Sequence, residues 1–111
     1  MRLIALSAAE PITSFGSVAA WSRLLADGRG EAHVHCVRFE AGGRIGEHPA
    51  GFAQLFVVIE GAGWAAGADG ERAELRAGQC VLFERGERHS KGSDAGMTAL
   101  TVQVTDLEIL I

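Results

Sequence analysis

From Gly30 onward the chain is a succession of short β-prone runs broken by glycine, and this pattern limits its fold more than any other feature. "AHVHCVRFEAG", "FAQLFVVIEG", "GWAAG", "ERAELRAG", "QCVLFERG" and "MTALTVQV" each read as a strand. Gly42-Gly43, Gly61, Asp69-Gly70, Gly78, Gly86 and Gly96 separate them, and Asp69-Gly70 between two runs signals a tight hairpin. No strand–helix–strand alternation occurs, so a doubly wound parallel sheet is excluded. The expectation is an all-β barrel or sandwich.

One segment has helical spacing. In "SVAAWSRLLADG", Val18, Trp21, Leu24 and Leu25 recur at three- and four-residue steps, with Ser17 as N-cap and Gly28 as stop. A short N-terminal helix anchored by Trp21 is predicted. Residues 1–30 then form an N-terminal strand and helix segment packing on a β-barrel of residues 31–111, a single domain overall.

Composition narrows the partners. The 111 residues are 48% hydrophobic and 22% charged, an ordinary globular balance. A formal net charge of -4 leaves no broad basic surface for nucleic acid. The densest basic run, "ERGERHSK", contains two glutamates that cancel much of it. Cys36 and Cys80 lie in apolar runs without CxxC spacing and read as two buried thiols in a reduced compartment. The start, "MRLIALSAAEPITSF", has an apolar core too short for a signal peptide, and nothing approaches the length of a membrane span. The sequence is therefore read as cytoplasmic.

In "QLFVVIE", Phe56 and Val58 point to one face and Leu55, Val57 and Ile59 to the other. A strand apolar on both sides needs an outer cover. A symmetric homodimer contact is one candidate, and the second sheet or the N-terminal segment is another.

The spacing of a few polar residues within these strands is more specific. His48 stands six residues after Gly42, Gln54 six after His48, and Gly61 seven after Gln54. Gly86 stands eight residues after Gly78, with His89 three further on. This resembles the cupin superfamily of small jelly-roll barrels, over residues from about 31 to 104. The first cupin motif holds a glycine, a His-x-His pair, a glutamate and a closing glycine. Its first histidine falls on His48, its second on Ala50 and its glutamate on Gln54. The second motif keeps Gly78, Gly86 and His89, while its proline falls on Glu84 and its asparagine on Ser93. The stretch "HPA...QLFVVIEG" further resembles small single-domain bacterial cupins of unassigned function.

The resemblance implies a cup whose pocket holds His48, Gln54, Phe56 and His89, with Phe83 and Trp64 on inward-facing parity. It also implies a divalent transition metal (zinc, iron, nickel or manganese), for which only His48, His89 and Gln54 remain. Losing one imidazole and the carboxylate weakens such a site by orders of magnitude. His33 and His35 share one strand face and could complete it, though the plainer reading makes them ordinary strand residues near an edge or a dimer contact. Glu47, Glu60 and Glu84 are usable acids that cannot be assigned to one site. No nucleophile elbow or phosphate loop is present.

Three functions stay open. The first is a barrel that binds a small polar or anionic molecule at a degenerate metal site, in a sensor or accessory role. The second is a metal-dependent enzyme of dioxygenase or isomerase type. The third is a structural dimer whose barrel is filled by its own side chains.

Overall fold

A computed structural model describes all residues 1–111. The chain contains nine strands and no helix: β1 (Arg2–Ala5), β2 (Glu10–Pro11), β3 (Trp21–Ser22), β4 (Ala26–Phe39), β5 (Arg44–Pro49), β6 (Ala53–Ala66), β7 (Arg72–Arg76), β8 (Gln79–Phe83) and β9 (Arg88–Ile109). Seven of them form one antiparallel sheet in the order β1-β8-β6-β9-β4, with β5 joined to β9 and β7 to β6.

The long strands β6 and β9 carry the barrel. They pair along most of their length, and their register shifts between Val58 and Glu60 and between Ala62 and Trp64. The framework glycines explain these breaks. Gly61 has φ 75°, and a Cβ there would collide with the carbonyl oxygen of Gly96. Only a residue without a side chain lets the two backbones come this close. The Asp69-Gly70 hairpin forms as expected: β6 turns into β7, Ala66 pairs with Arg72, and Gly70 N donates to Gly67 O at 3.0 Å.

Inside the barrel, Phe39, Phe56, Val58, Leu75, Val81, Phe83, Met97 and Ala99 form the main core. Phe56 and Phe83 are wholly buried. Each such side chain contributes about 2 kcal/mol by leaving water. On the other face, Leu55, Cys80 and Leu82 pack with Ile4, and Leu6, Val57, Val102, Ile109 and Ile111 join them. The outer face of "QLFVVIE" is thus covered by the N-terminal strand and the C-terminal end of the chain, leaving Ile59 half-exposed.

Two expectations are corrected. The helix over residues 17–28 does not form. That segment instead folds back as a two-stranded ribbon, with Glu10 paired to Ser22 and Pro11 to Trp21. Val18 is 86% and Leu24 64% exposed, so no core receives the face their spacing suggested. An isolated helix this short is marginal without such packing. Cys36 is exposed whereas Cys80 is buried. Cys36 lies on β4, the edge strand, at a position of the same parity as the solvent-facing Val34.

Candidate functional site

His48 comes from the end of β5 and His89 from the start of β9, and strand register sets them directly opposite each other. Their rings are 4.5 Å apart between centroids. His48 Nδ1 is 2.8 Å from the carbonyl oxygen of Gly46. A carbonyl only accepts, so Nδ1 carries the proton and Nε2 of His48 is the acceptor. His89 Nε2 then donates to His48 Nε2 at 3.1 Å. This leaves His89 Nδ1 buried with no partner. His89 is 1% exposed and sits edge-on to Phe83. Its pKa is lowered to about 4, first by burial, then by repulsion from Lys91 and from His48 when that ring is protonated, against an opposing effect of Glu87.

Gln54 sits on β6, opposite Phe83 of β8 and Gln103 of β9. Its side-chain oxygen accepts a hydrogen bond from Lys91 Nζ at 2.9 Å. Lys91 is 3% exposed. Its Nζ lies 4.8 Å from the ring centre of Phe56 and 5.2 Å from that of Phe83, and it makes no ion pair. Burial alone pushes its pKa down to about 8. A cavity of about 410 Å³ opens over these groups. His35, His48, Gln54, His89, Lys91, Thr101 and Gln103 provide its polar lining, and Val37 and Ile45 part of its apolar wall.

The sequence-level candidates are therefore sorted by position. His48, Gln54 and His89 meet at one cavity. Phe56 lies beneath it as core, not on its wall, and Phe83 backs His89. Trp64 is stacked under the Arg72 guanidinium at 3.8 Å. His35 lines the cavity, while His33 is paired to Glu31 at 2.7 Å and lies edge-on to Phe52. Ser93, at the asparagine position, is buried and donates to the Ala62 carbonyl at 2.6 Å. Glu47 faces Arg88 at 3.6 Å in solvent, and neither Glu60 nor Glu84 lines the cavity. Lys91 was hidden within the run "ERGERHSK". The signal that reveals it is parity: His89, Lys91 and Ser93 alternate on one face of β9, and Lys91 is the only lysine in the chain.

Residues 16–109 match the sequence profile of a family described as Cupin. The chain belongs to the cupin family. Among relatives, this cupin is 36% identical over 69 residues to an (R)-mandelonitrile lyase of Granulicella tundricola, a match covering 60% of this chain and 53% of that protein. The chain thus spans about half the length of that relative. Similar solved structures share the double-stranded β-helix fold. A conserved protein of unknown function from Streptococcus pyogenes has a TM-score of 0.64 at 18% identity, with 74% of each chain covered. A cupin-like protein from Thermotoga maritima has a TM-score of 0.63 at 21% identity, covering 71% of this chain and 64% of the other. At these identities the likeness is one of fold.

The metal that the fold implies does not fit the residues present. No group of three His, Cys, Asp or Glu side chains gathers anywhere in the chain. An imidazole that ligates through Nε2 carries its proton on Nδ1 and normally gives it to an acceptor. His89 Nδ1 has none. The carboxylate position is Gln54, and its oxygen is already engaged by a cation. A site that holds an ammonium where metal cupins hold a negative charge opposes a second cation.

Proposed function

We propose that this cupin binds a small polar or anionic molecule in the cavity over His48, Gln54, His89 and Lys91. One observation carries the reading: a lysine 3% exposed, without an ion pair, borders an open cavity of about 410 Å³. A buried charge is normally paired. An anion about 4 Å from that ammonium gains about 4 kcal/mol at the effective dielectric typical of protein sites. Thr101 and Gln103 offer hydrogen bonds that orient it. An accessory or sensing role suits a pocket whose residues select a ligand without assembling a metal. The size of the cavity speaks against a barrel filled by its own side chains.

Titration calorimetry with a panel of small carboxylates, benzoate among them, tests this reading. Binding weakened about tenfold or more in Lys91→Met supports it. Absence of binding by any member at millimolar concentration overturns it.

A second reading is acid–base chemistry on a small polar substrate. It draws on the His48–His89 pair beside a cation and on the likeness to a mandelonitrile lyase. Incubation with mandelonitrile, followed for release of benzaldehyde, tests it. Turnover lost in His48→Ala supports it, and a rate equal to that of buffer ends it.

A further inference from the structure

Ten residues of the chain are basic, nine of them arginine, and the single lysine is the one that is buried. Arginine keeps its charge under all conditions in a protein, whereas lysine alone can shed a proton and become an amine nucleophile. Of the lysine and arginine charges, those at the surface are thus all arginine, and the one lysine borders the cavity. Phe56 and Phe83 flank its Nζ, no carboxylate pairs with it, and its one partner is the neutral amide of Gln54. Apolar walls without a counter-charge favour the neutral amine over the ammonium.

We propose that Lys91 Nζ is a nucleophile that condenses with a small aldehyde or ketone in the cavity to form an imine. This rests on the reading of the cavity as a small-molecule site and names the electrophile class it accepts. The Nζ lone pair attacks the carbonyl carbon, a carbon–nitrogen bond forms, and the π electrons move to oxygen. A proton passes from nitrogen to that oxygen, giving a carbinolamine. The hydroxyl then takes a second proton and leaves as water while the nitrogen lone pair closes the C=N bond, and the resulting iminium gives up its N–H proton to leave the neutral imine. The sum is amine plus carbonyl to imine plus water, with no oxidant or reductant. His89 lies two residues before Lys91 on the same strand face, and His48 is hydrogen-bonded to it at 3.1 Å.

The test uses the full chain with benzaldehyde and sodium cyanoborohydride, read by intact mass and peptide mapping. Benzoate calorimetry runs in parallel, as a ligand of similar shape that cannot condense. The expected result is one reduced benzyl adduct on Lys91, formed at least about tenfold faster than on the Met1 amine and suppressed by excess benzoate. Lys91→Arg keeps the charge and forms no adduct at that position. Lys91→Met serves the same purpose if the arginine variant does not fold. Benzoate binding without a Lys91 adduct overturns the inference and leaves the pocket reading standing. Neither binding nor adduct overturns both. Labelling of Lys91 no faster than Met1 also overturns the inference. A Lys91 adduct without benzoate binding supports the nucleophile and counts against anion recognition.

Discussion

Lys91 Nζ donates to the Gln54 side-chain oxygen across 2.9 Å, in the barrel interior, and no carboxylate meets either group. The cupin motif expects a glutamate at Gln54, and a glutamate there would neutralise the ammonium. The amide therefore keeps Lys91 short of a counter-charge. In Gln54→Glu, the Lys91 pKa is expected to return toward its usual 10.5 by one unit or more from about 8. Because Lys91 is the only lysine, its side-chain signal in a carbon- or nitrogen-detected NMR titration is unambiguous. An unchanged midpoint would show that burial dominates even beside a carboxylate.

Stability should rise with pH in two separate windows. His89 titrates near 4 when folded and 6.5 when unfolded. Between these values the unfolded chain binds the extra proton, so stability is lost as pH falls from about 6.5 toward 4. The loss is at most about 3 kcal/mol for a shift of this size. Urea unfolding of wild type against His89→Gln across that range isolates the contribution, and parallel curves would remove it.

Lys91 acts in the alkaline window by the same sign. Below about pH 8 it is charged in both states, and its burial penalty is fully present. From about 8 to 10.5 the folded protein holds the amine while the unfolded chain stays protonated, so stability increases by up to about 3 kcal/mol. The buried Cys80 thiol, whose pKa is raised by burial, works in the opposite direction above 9.0. The difference between wild type and Lys91→Met is therefore the quantity to measure. At neutral pH Lys91→Met should itself be more stable by about 1 kcal/mol or more, because an unpaired charge is exchanged for an apolar chain among Phe56 and Phe83. A loss of stability at pH 7 would mean that the Gln54 hydrogen bond outweighs desolvation.

The barrel was legible in the sequence because its determinants are local. Glycine offsets mark where strands bend, and alternation assigns Phe56 and Val58 inward and Leu55 and Val57 outward. His48 and His89 could be brought together because their offsets from Gly42 and Gly86 survive. The helix misread came from the same kind of pattern: Val18, Trp21, Leu24 and Leu25 have helical spacing, but spacing does not create a surface to receive them. Lys91 was passed over, and Cys36 read as buried, for a related reason. Their burial depends on which strands lie beside them, β6 next to Lys91 and nothing beyond the edge strand for Cys36. Local polarity carries no information about that.

Metal removal offers a direct check on the donor set. Two imidazoles that spend a proton on each other, and a glutamine engaged by an ammonium, have little to offer a divalent ion. Purified protein is expected to carry far less than one equivalent of zinc, iron, nickel or manganese by elemental analysis. Its melting temperature should not change on treatment with a chelator, since a metal bound only by the folded state would shift it by linkage. A stoichiometric ion, or a chelator-induced drop of several degrees, would contradict the reading.

Two glycine substitutions separate conformational strain from collision. Gly42 has φ 80° and nothing within 4 Å of a would-be Cβ. Gly42→Ala should therefore cost only the strain of a left-handed residue, about 1 kcal/mol. Gly61 has a similar φ of 75°, but its Cβ would strike the backbone oxygen of Gly96 and approach Met97 Cα at 3.1 Å. Neither backbone atom can swing aside as a flexible side chain would, so β6 and β9 must part at this bend. Gly61→Ala is expected to cost at least about 2 kcal/mol more than Gly42→Ala in urea unfolding, the range of overpacking penalties. Equal costs for the two variants would show that the close approach of β6 to β9 is not what requires glycine at this position.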